Sequence, residues 1–158
     1  MLTLGEVFNL SIANPVIVGI AIAKARYSHG NISRTREYVI NLPTADMVEV
    51  VDRCGTTSGR DIDKFAEFGL TRLPATKVAP PLIAECPVNI ECRVTGIQEI
   101  GDHDLFVGEV VAQHVDEELL DEKGELCSDR PWLLCYIFGR YWSMGSMLGS
   151  HGFKRPGA

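Results

Sequence analysis

The chain has 158 residues, a length that fits one globular domain of about 100 to 200 residues. Its composition, 46% hydrophobic and 23% charged, excludes a disordered chain, a collagen and a disulfide-dense small protein. The 21 acidic residues outnumber the 15 Lys and Arg, and the net charge of −6 argues against binding to a nucleic-acid polymer.

The lengths of the apolar runs and the pattern of cysteines indicate the cellular compartment of the protein. The longest apolar run covers residues 15–23, shorter than the roughly 18 residues of a membrane-spanning helix, and no secretory signal precedes it. The five cysteines are irregularly spaced without a Cys-x-x-Cys pair, so they predict neither a disulfide framework nor a zinc site. We therefore predict a cytoplasmic protein with reduced thiols, no membrane partner and no metal.

Strands and short helices alternate in the predicted first half of the chain. Residues 16–22 are almost wholly apolar and β-branched, which predicts a central strand buried on both faces. Ser28 and Thr44 are suitable N-caps for two short helices, and Gly69 is a suitable stop signal for a third. The elements after the first strand are a helix at 29–35, a strand at 38–41, a helix at 45–53 and a helix at 61–68.

Strands dominate the predicted second half. Ile90, Cys92 and Val94 alternate with polar residues, as in a half-buried strand that forms a hairpin with its neighbour. The following segments are a turn at 102–104, a strand at 105–115, a solvated acidic connection at 116–125, a strand at 132–138 and a glycine-rich tail at 139–158. Mostly antiparallel strands with few short helices favour a mainly β (α+β) fold, a barrel with helical insertions, in one domain over 1–158.

The turn after the first strand carries a candidate anion site. In an extended turn, Lys24, Arg26 and Ser28 would project to the same side, because alternate residues share a face. If Ser28 also opens a helix, free backbone N–H groups at the positive end of the helix dipole join the two cations. This chemistry suits a phosphomonoester. A solvated turn whose charges keep the sheet edge soluble is the alternative, and the spacing leaves both open.

Three further places could contribute to a site. Ser58 and Lys64 flank a loop-to-helix junction and could line a cofactor, or Ser58 or Asp61 could simply cap the helix. His103 sits in the predicted turn, where it could donate to a substrate or be merely exposed. Tyr141 and Trp142 could stack on a planar ring or pack the tail onto the barrel. Walker, nucleophile-elbow and dinucleotide-glycine motifs do not occur, which argues against hydrolases and nucleoside triphosphatases.

Six phrases extend in order over nearly the whole chain and carry a family resemblance. They are residues 14–22 (NPVIVGIAI), 24–28 (KARYS), 38–43 (YVINLP), 58–65 (SGRDIDKF), 84–92 (AECPVNIEC) and 101–110 (GDHDLFVGEV). In these phrases the sequence resembles the flavin reductase-like, FMN-binding split-barrel family, and within it the flavoredoxin group. The resemblance implies an antiparallel split β-barrel.

The resemblance also implies which residues hold the flavin. The turn from Lys24 to Ser28 would bind the FMN phosphate, and His103 would face the nicotinamide side as the candidate catalytic residue. The residues implied to bind FMN are Thr3, Leu4, Lys24, Arg26, Tyr27, Ser28, Ser58, Lys64 and Trp142. Of these, Thr3 and Leu4 would touch the isoalloxazine ring.

The assembly is likewise inferred from the resemblance. The family forms homodimers with the flavin near the subunit interface, so Tyr141 and Trp142 could approach the pocket of either chain. Family members carry additional strands upstream of the segment that matches residues 1–9. We therefore expect either reduced stability or compensation across a dimer interface, because a missing strand leaves unpaired backbone on its neighbour.

The function predicted from the sequence is an FMN-binding oxidoreductase, a flavin reductase that takes electrons from NADH or NADPH. A non-enzymatic FMN electron carrier that serves a protein partner would use the same pocket and is the alternative. A flavin-free relative of the family is a third possibility. Direct reduction by a nicotinamide nucleotide distinguishes the first two.

Overall fold

A five-stranded antiparallel sheet forms the frame of the molecule, and the structure, a computed structural model, describes residues 1–127, 133–146 and 148–149. The strands are β1 (Val7–Ser11), β2 (Ile17–Ala23), β3 (Glu37–Leu42), β4 (Arg72–Leu73), β5 (Leu82–Ile83), β6 (Val88–Ile100), β7 (His103–Val115), β8 (Leu134–Ile137) and β9 (Arg140–Ser143). The helices are α1 (Tyr27–Thr35), α2 (Val48–Thr56) and α3 (Lys64–Phe68), with 3₁₀ turns at Ala45–Met47 and Glu117–Leu119. The strand order is β1-β2-β7-β6-β3, and β4–β5 and β8–β9 form two separate ribbons.

The β6–β7 hairpin is the longest unit of the sheet. Its strands have 13 residues each, and the last pair before the turn joins Ile100 to His103. The turn therefore consists of Gly101 and Asp102, and the turn predicted at 102–104 is misplaced. Gly101 has φ +59, a conformation that glycine adopts without steric cost, which fixes the turn at this position. His103 consequently begins β7 and pairs with Ala23 at the end of β2.

The hydrophobic core lies on one face of the sheet. Its buried residues come from four strands and α1: Val18, Ile20, Ile22, Ile32, Tyr38, Ile40, Cys92, Val94 and Phe106. The predicted internal strand is confirmed as β2, which lies between β1 and β7. The prediction that both of its faces are buried is wrong, because on the second face Ile17 and Ala23 are half-buried and Ala21 is exposed to solvent.

Two predicted helices have shifted N-termini. α1 begins at Tyr27 with Arg26 as its N-cap, so Ser28 lies inside the helix and does not cap it. The helix predicted at 45–53 is divided into a 3₁₀ turn that follows Thr44 and the longer α2. Among the described residues, no helix has both the length and the hydropathy needed to cross a bilayer.

α3 is shorter than the helix predicted at 61–68. It begins at Lys64 because the carboxylate of Asp63 accepts a hydrogen bond from the Phe65 N–H at 3.1 Å, which makes Asp63 the N-cap. It ends as predicted at Gly69, whose φ of +66 closes the helix in the left-handed conformation.

The sequence predicts one strand of the β8–β9 ribbon and not the other. The strand predicted at 132–138 is observed as β8, and its residue 132 lies outside the described residues, as do residues 150–158 of the predicted tail. The start of that tail forms β9, since Phe138 and Gly139 both have positive φ and turn the chain back on itself. β1, β4 and β5 are also absent from the sequence prediction.

A buried carboxylate clamps the proline-rich connection between β4 and β5 to the sheet. Glu91 of β6 is fully buried and accepts hydrogen bonds from the N–H groups of Thr76, Lys77 and Val78 at 2.8, 2.6 and 3.1 Å. The Thr76 hydroxyl at 2.9 Å and Nε2 of His114 at 2.6 Å complete the shell. Burial opposes ionisation of this carboxyl, but the hydrogen bonds outweigh it and lower the pKa of Glu91 to about 2.

We predict that Glu91→Gln destabilises the fold by about 3 kcal/mol at pH 7, because the NH₂ group of the new amide would face the hydrogen-bond donors that surround the carboxylate. The folded-state pKa of about 2 lies below the ordinary value of 4.5, so the ionised carboxylate stabilises the protein above pH 4.5 and ceases to do so as pH falls toward 2. Urea unfolding should therefore show a difference between wild type and variant that shrinks on acidification.

The matched control is Glu85→Gln, whose exposed carboxylate also accepts a backbone hydrogen bond, from Thr71 N at 2.9 Å. It should cost far less stability than Glu91→Gln. Equal losses for the two variants, or a difference from wild type that does not depend on pH, would contradict the role assigned to Glu91.

Candidate functional site

One cavity gathers several of the predicted site residues. It has a volume of about 490 Å³ and lies between residues 2–5, the end of β2, the end of α2 and the β8–β9 ribbon. Its polar side chains are Thr3, Arg26, Asp52, Thr56, His103, Tyr136 and Tyr141. We call it the polar cavity. Four of the predicted site residues line it, namely Thr3, Leu4, Arg26 and His103.

The N-terminus of α1 opens beside the polar cavity. Its N-cap, Arg26, has an extended backbone and makes no capping hydrogen bond through its side chain, and no acidic residue lies in the first turn. The Arg26 guanidinium reaches the carbonyl of Gly55 at 3.4 Å and remains exposed. Free N–H groups, the positive end of the helix dipole and a guanidinium together make surroundings that favour an anion.

The three residues predicted to converge after β2 do not meet. Lys24 forms an ion pair with Glu99 and lies 3.8 Å from Oδ1 of Asp104, and the hydrogen bond to Glu99 raises the pKa of the ammonium. Ser28 lines a different cavity, of about 380 Å³. The predicted alternation fails because Lys24 and Ala25 form a turn, closed by a hydrogen bond from Arg26 N–H to the carbonyl of Ala23 at 2.9 Å, and because the backbone becomes helical at Tyr27.

Three hydrogen bonds, two from Lys64 and one from Thr3, hold the segment 2–5 in the cavity wall. Lys64, only 5% exposed, donates to the carbonyls of Met1 at 2.9 Å and Cys54 at 2.5 Å, and burial lowers the pKa of its ammonium. The hydroxyl of Thr3 donates to the carbonyl of Val51 at 2.5 Å. Lys64 does not itself line the polar cavity, so its contribution there is to position the neighbouring backbone.

Gly55 permits the close approach of that segment to α2. A Cβ at this position would lie 3.2 Å from the Thr3 Cβ, closer than ordinary side-chain contacts allow. The carbonyl of Gly55 also faces Arg26. Nothing in the local sequence pattern around this glycine signals the contact with Thr3.

His103 stands at the edge of the polar cavity. Its side chain is 42% exposed, and its Nδ1 lies 2.8 Å from Oδ1 of Asp102. This hydrogen bond lowers the pKa of Asp102. Across the described parts of the chain, no group of three or more His, Cys, Asp or Glu is arranged to hold a metal ion.

The remaining predicted residues lie outside the polar cavity. Tyr27 and Ser58 are exposed, and both contact Arg60. The guanidinium carbon of Arg60 is 5.5 Å from the Tyr27 ring centroid, and its backbone N–H donates to Ser58 Oγ at 3.2 Å. Trp142 is 54% exposed on β9 and pairs with Cys135 of β8.

Tyr136 and Tyr141 form a wall of the cavity that the sequence reveals only partly. Their ring centroids are 5.2 Å apart, and the Tyr141 hydroxyl donates to Oδ1 of Asp52 on α2 at 3.0 Å. This hydrogen bond fastens the β8–β9 ribbon over the cavity. Tyr141 is predicted from sequence as a candidate for ring stacking, whereas Tyr136 is not. The register that places the two side by side belongs to the β8–β9 ribbon, and β9 is not predicted from sequence.

Comparisons with known proteins agree with this architecture. The solved structure of flavoredoxin from Methanosarcina acetivorans superposes with a TM-score of 0.83 at 30% identity, covering 96% of this chain and 80% of that one. An uncharacterized protein from Archaeoglobus fulgidus is 41% identical over 98 residues, which are 62% of this chain and 55% of the relative. The NADH:riboflavin 5'-phosphate oxidoreductase of Streptomyces pristinaespiralis is 31% identical over 107 residues, 67% of this chain and 57% of that protein.

The matches to these two sequence relatives span little more than half of each relative's length. The family model described as the flavin reductase like domain, however, matches residues 1–145, most of the chain. The mainly β, antiparallel split-barrel fold that the resemblance implied is confirmed by the strand order and by the superposition. The chain therefore belongs to the flavin reductase like domain family.

Proposed function

We propose that this protein binds FMN in the polar cavity and acts as an oxidoreductase that accepts electrons from NADH or NADPH. The observation that carries the proposal is the position of Arg26 at an uncapped helix N-terminus on the wall of a 490 Å³ cavity. A cavity of this size lies within the range of small-molecule and cofactor sites. The single domain over 1–158 is part of the same proposal.

The residues of the cavity fit a phosphorylated flavin. Arg26 and the first N–H groups of α1 would hold the phosphate, and the backbone of Thr3 and Leu4, fixed by Lys64, would lie along the ring. The carboxylate of Asp52 lies on the α2 side of the cavity, where it accepts the hydrogen bond of Tyr141. Lys24 is also predicted to bind the phosphate, but to do so its ammonium group would have to leave Glu99 and Asp104.

The chemistry divides between the cofactor and the chain. FMN, when bound, supplies a site that accepts a hydride and passes electrons on. The chain binds the phosphate, orients the ring and leaves His103 at the cavity edge, where we assign it to contact the nicotinamide. The Nδ1 hydrogen bond to Asp102 holds the imidazole of His103 in a fixed orientation for that contact. A reducing compartment, the cytoplasm, fits five free thiols.

Two named relatives support different versions of this function. The Streptomyces pristinaespiralis protein is named for NADH-dependent reduction of riboflavin 5'-phosphate, which favours the enzyme. The flavoredoxin of Methanosarcina acetivorans superposes over nearly the whole chain, which favours the electron carrier with a protein partner as the second candidate. Both would use the polar cavity.

Anaerobic reduction separates the two candidates. We expect the FMN-loaded protein to lose its visible flavin absorption on addition of NADH or NADPH, because the edge of the cavity at His103 is open to a second ligand. Absorption that persists with both nucleotides and disappears only with dithionite would contradict the enzyme and support the carrier.

Arg26→Gln tests the position of the phosphate. Loss of one charge-assisted hydrogen bond should weaken FMN binding by about 10- to 100-fold, measured by quenching of flavin fluorescence. Arg34→Gln is the matched control, since Arg34 lies in the last turn of the same helix and lines a different cavity. Equal effects of the two substitutions, or no effect of Arg26→Gln, would count against the proposed phosphate site.

We also propose that a second copy of the chain covers the outer side of β1. Large apolar side chains are exposed in and around this strand, at Val7, Phe8, Leu10, Ile12 and Val16. Exposed large apolar side chains concentrated on one segment are typical of an interface, and β1 is also a sheet edge.

Sedimentation tests the homodimer. Wild type should sediment as a dimer and Leu10→Glu as a monomer, whereas Leu126→Glu, at an exposed leucine far along the chain, should leave the dimer intact. A wild-type monomer at micromolar concentration would contradict the proposal.

A further inference from the structure

A second cavity lies beside the polar cavity and has a different lining. Its volume is about 350 Å³, and aliphatic and sulfur-containing side chains make up most of its wall, among them Leu42, Met47, Val51, Leu70, Ile83 and Cys86. It shares residues 2–5, Tyr136 and Tyr141 with the polar cavity. We call it the apolar cavity.

Three polar side chains along the apolar cavity already have partners. The Thr3 hydroxyl donates to Val51 O at 2.5 Å, and the Asn41 side-chain oxygen accepts from Ile83 N at 3.1 Å. The Tyr141 hydroxyl, as described above, is bound to α2. A ligand in this cavity would therefore be recognised mainly by contact with apolar surface.

Charged ligands are disfavoured in the apolar cavity. Its lining, as far as the structure describes the chain, includes no Lys, Arg or His side chain, and the single carboxylate is Glu6. The remaining basic group is the α-amino group of Met1, and burial lowers its pKa and so favours its neutral form. A phosphate or carboxylate placed there would lose its hydration against a mostly apolar wall. Flavin and nicotinamide nucleotides, which carry phosphates, are thereby disfavoured as its occupants.

We propose that the apolar cavity is a binding site for a small, neutral, apolar or aromatic molecule. Its volume is adequate for one or two fused rings. The site is distinct from the proposed FMN site, because its ligand would make no use of Arg26 or of the α1 N-terminus. It stands independently of flavin binding.

The probes are 1-naphthol, which is neutral at pH 7, and 1-naphthoate, which has the same rings and a negative charge. Methyl NMR of the wild-type protein should show shifts at Val51, Leu70 and Ile83 with 1-naphthol and much smaller shifts with 1-naphthoate. The absence of shifts at these methyl groups, or equal shifts with both probes, would overturn the proposal and make the cavity a packing gap.

Two substitutions fill the cavity from half-buried positions that line no other described cavity, Met47→Trp and Leu70→Trp. Each should weaken 1-naphthol binding at least about tenfold, whereas the control Leu126→Trp should not. FMN titration of the same variants shows that they are folded and tests the flavin site separately. Binding of 1-naphthol that is unaffected by both filling variants would also overturn the proposal.

Discussion

The ammonium group of Lys64 is the constraint on which the candidate site depends. It is buried between the carbonyls of Met1 and Cys54, and these two hydrogen bonds bring the N-terminal segment against α2. Residues 2–5, which follow directly, form part of both the polar and the apolar cavity. Without this anchor neither cavity would have its shared wall.

Lys64 and Glu91 show two outcomes of burying a charge. For Lys64, burial dominates and lowers the pKa, so the charged form is held at some cost. For Glu91, the donors of the β4–β5 connection and His114 outweigh burial, and the charged form is strongly favoured. The first charge positions the site and the second fastens the sheet.

Several elements of the fold could be predicted from sequence because their signals are local. The apolar run of β2, the alternation at Ile90, Cys92 and Val94, and the helix stop at Gly69 each specify their own element. The site was less predictable because its contacts are distant in sequence. Lys24 was expected to face an anion, yet its partner Glu99 is 75 residues away.

The error in the turn after β2 comes from a wrong assumption about the backbone. An extended chain was assumed from Lys24 to Ser28, whereas Lys24 and Ala25 form a turn and helix α1 starts at Tyr27, which turns Ser28 toward another cavity. Arg26 kept its predicted position on the site because it is the last extended residue before the helix. Tyr136 could not be placed without knowing that Phe138 and Gly139 form a turn, since only the β8–β9 register sets it beside Tyr141.

A comparison of FMN with riboflavin tests the proposed site most directly. The two flavins share the isoalloxazine ring and differ in the phosphate that Arg26 and the α1 N-terminus are proposed to hold. Titration of the wild-type protein, followed by flavin fluorescence, should give an FMN dissociation constant at least about tenfold below that of riboflavin. Equal affinities would contradict phosphate recognition at α1, and failure to bind either flavin would contradict the flavin site itself.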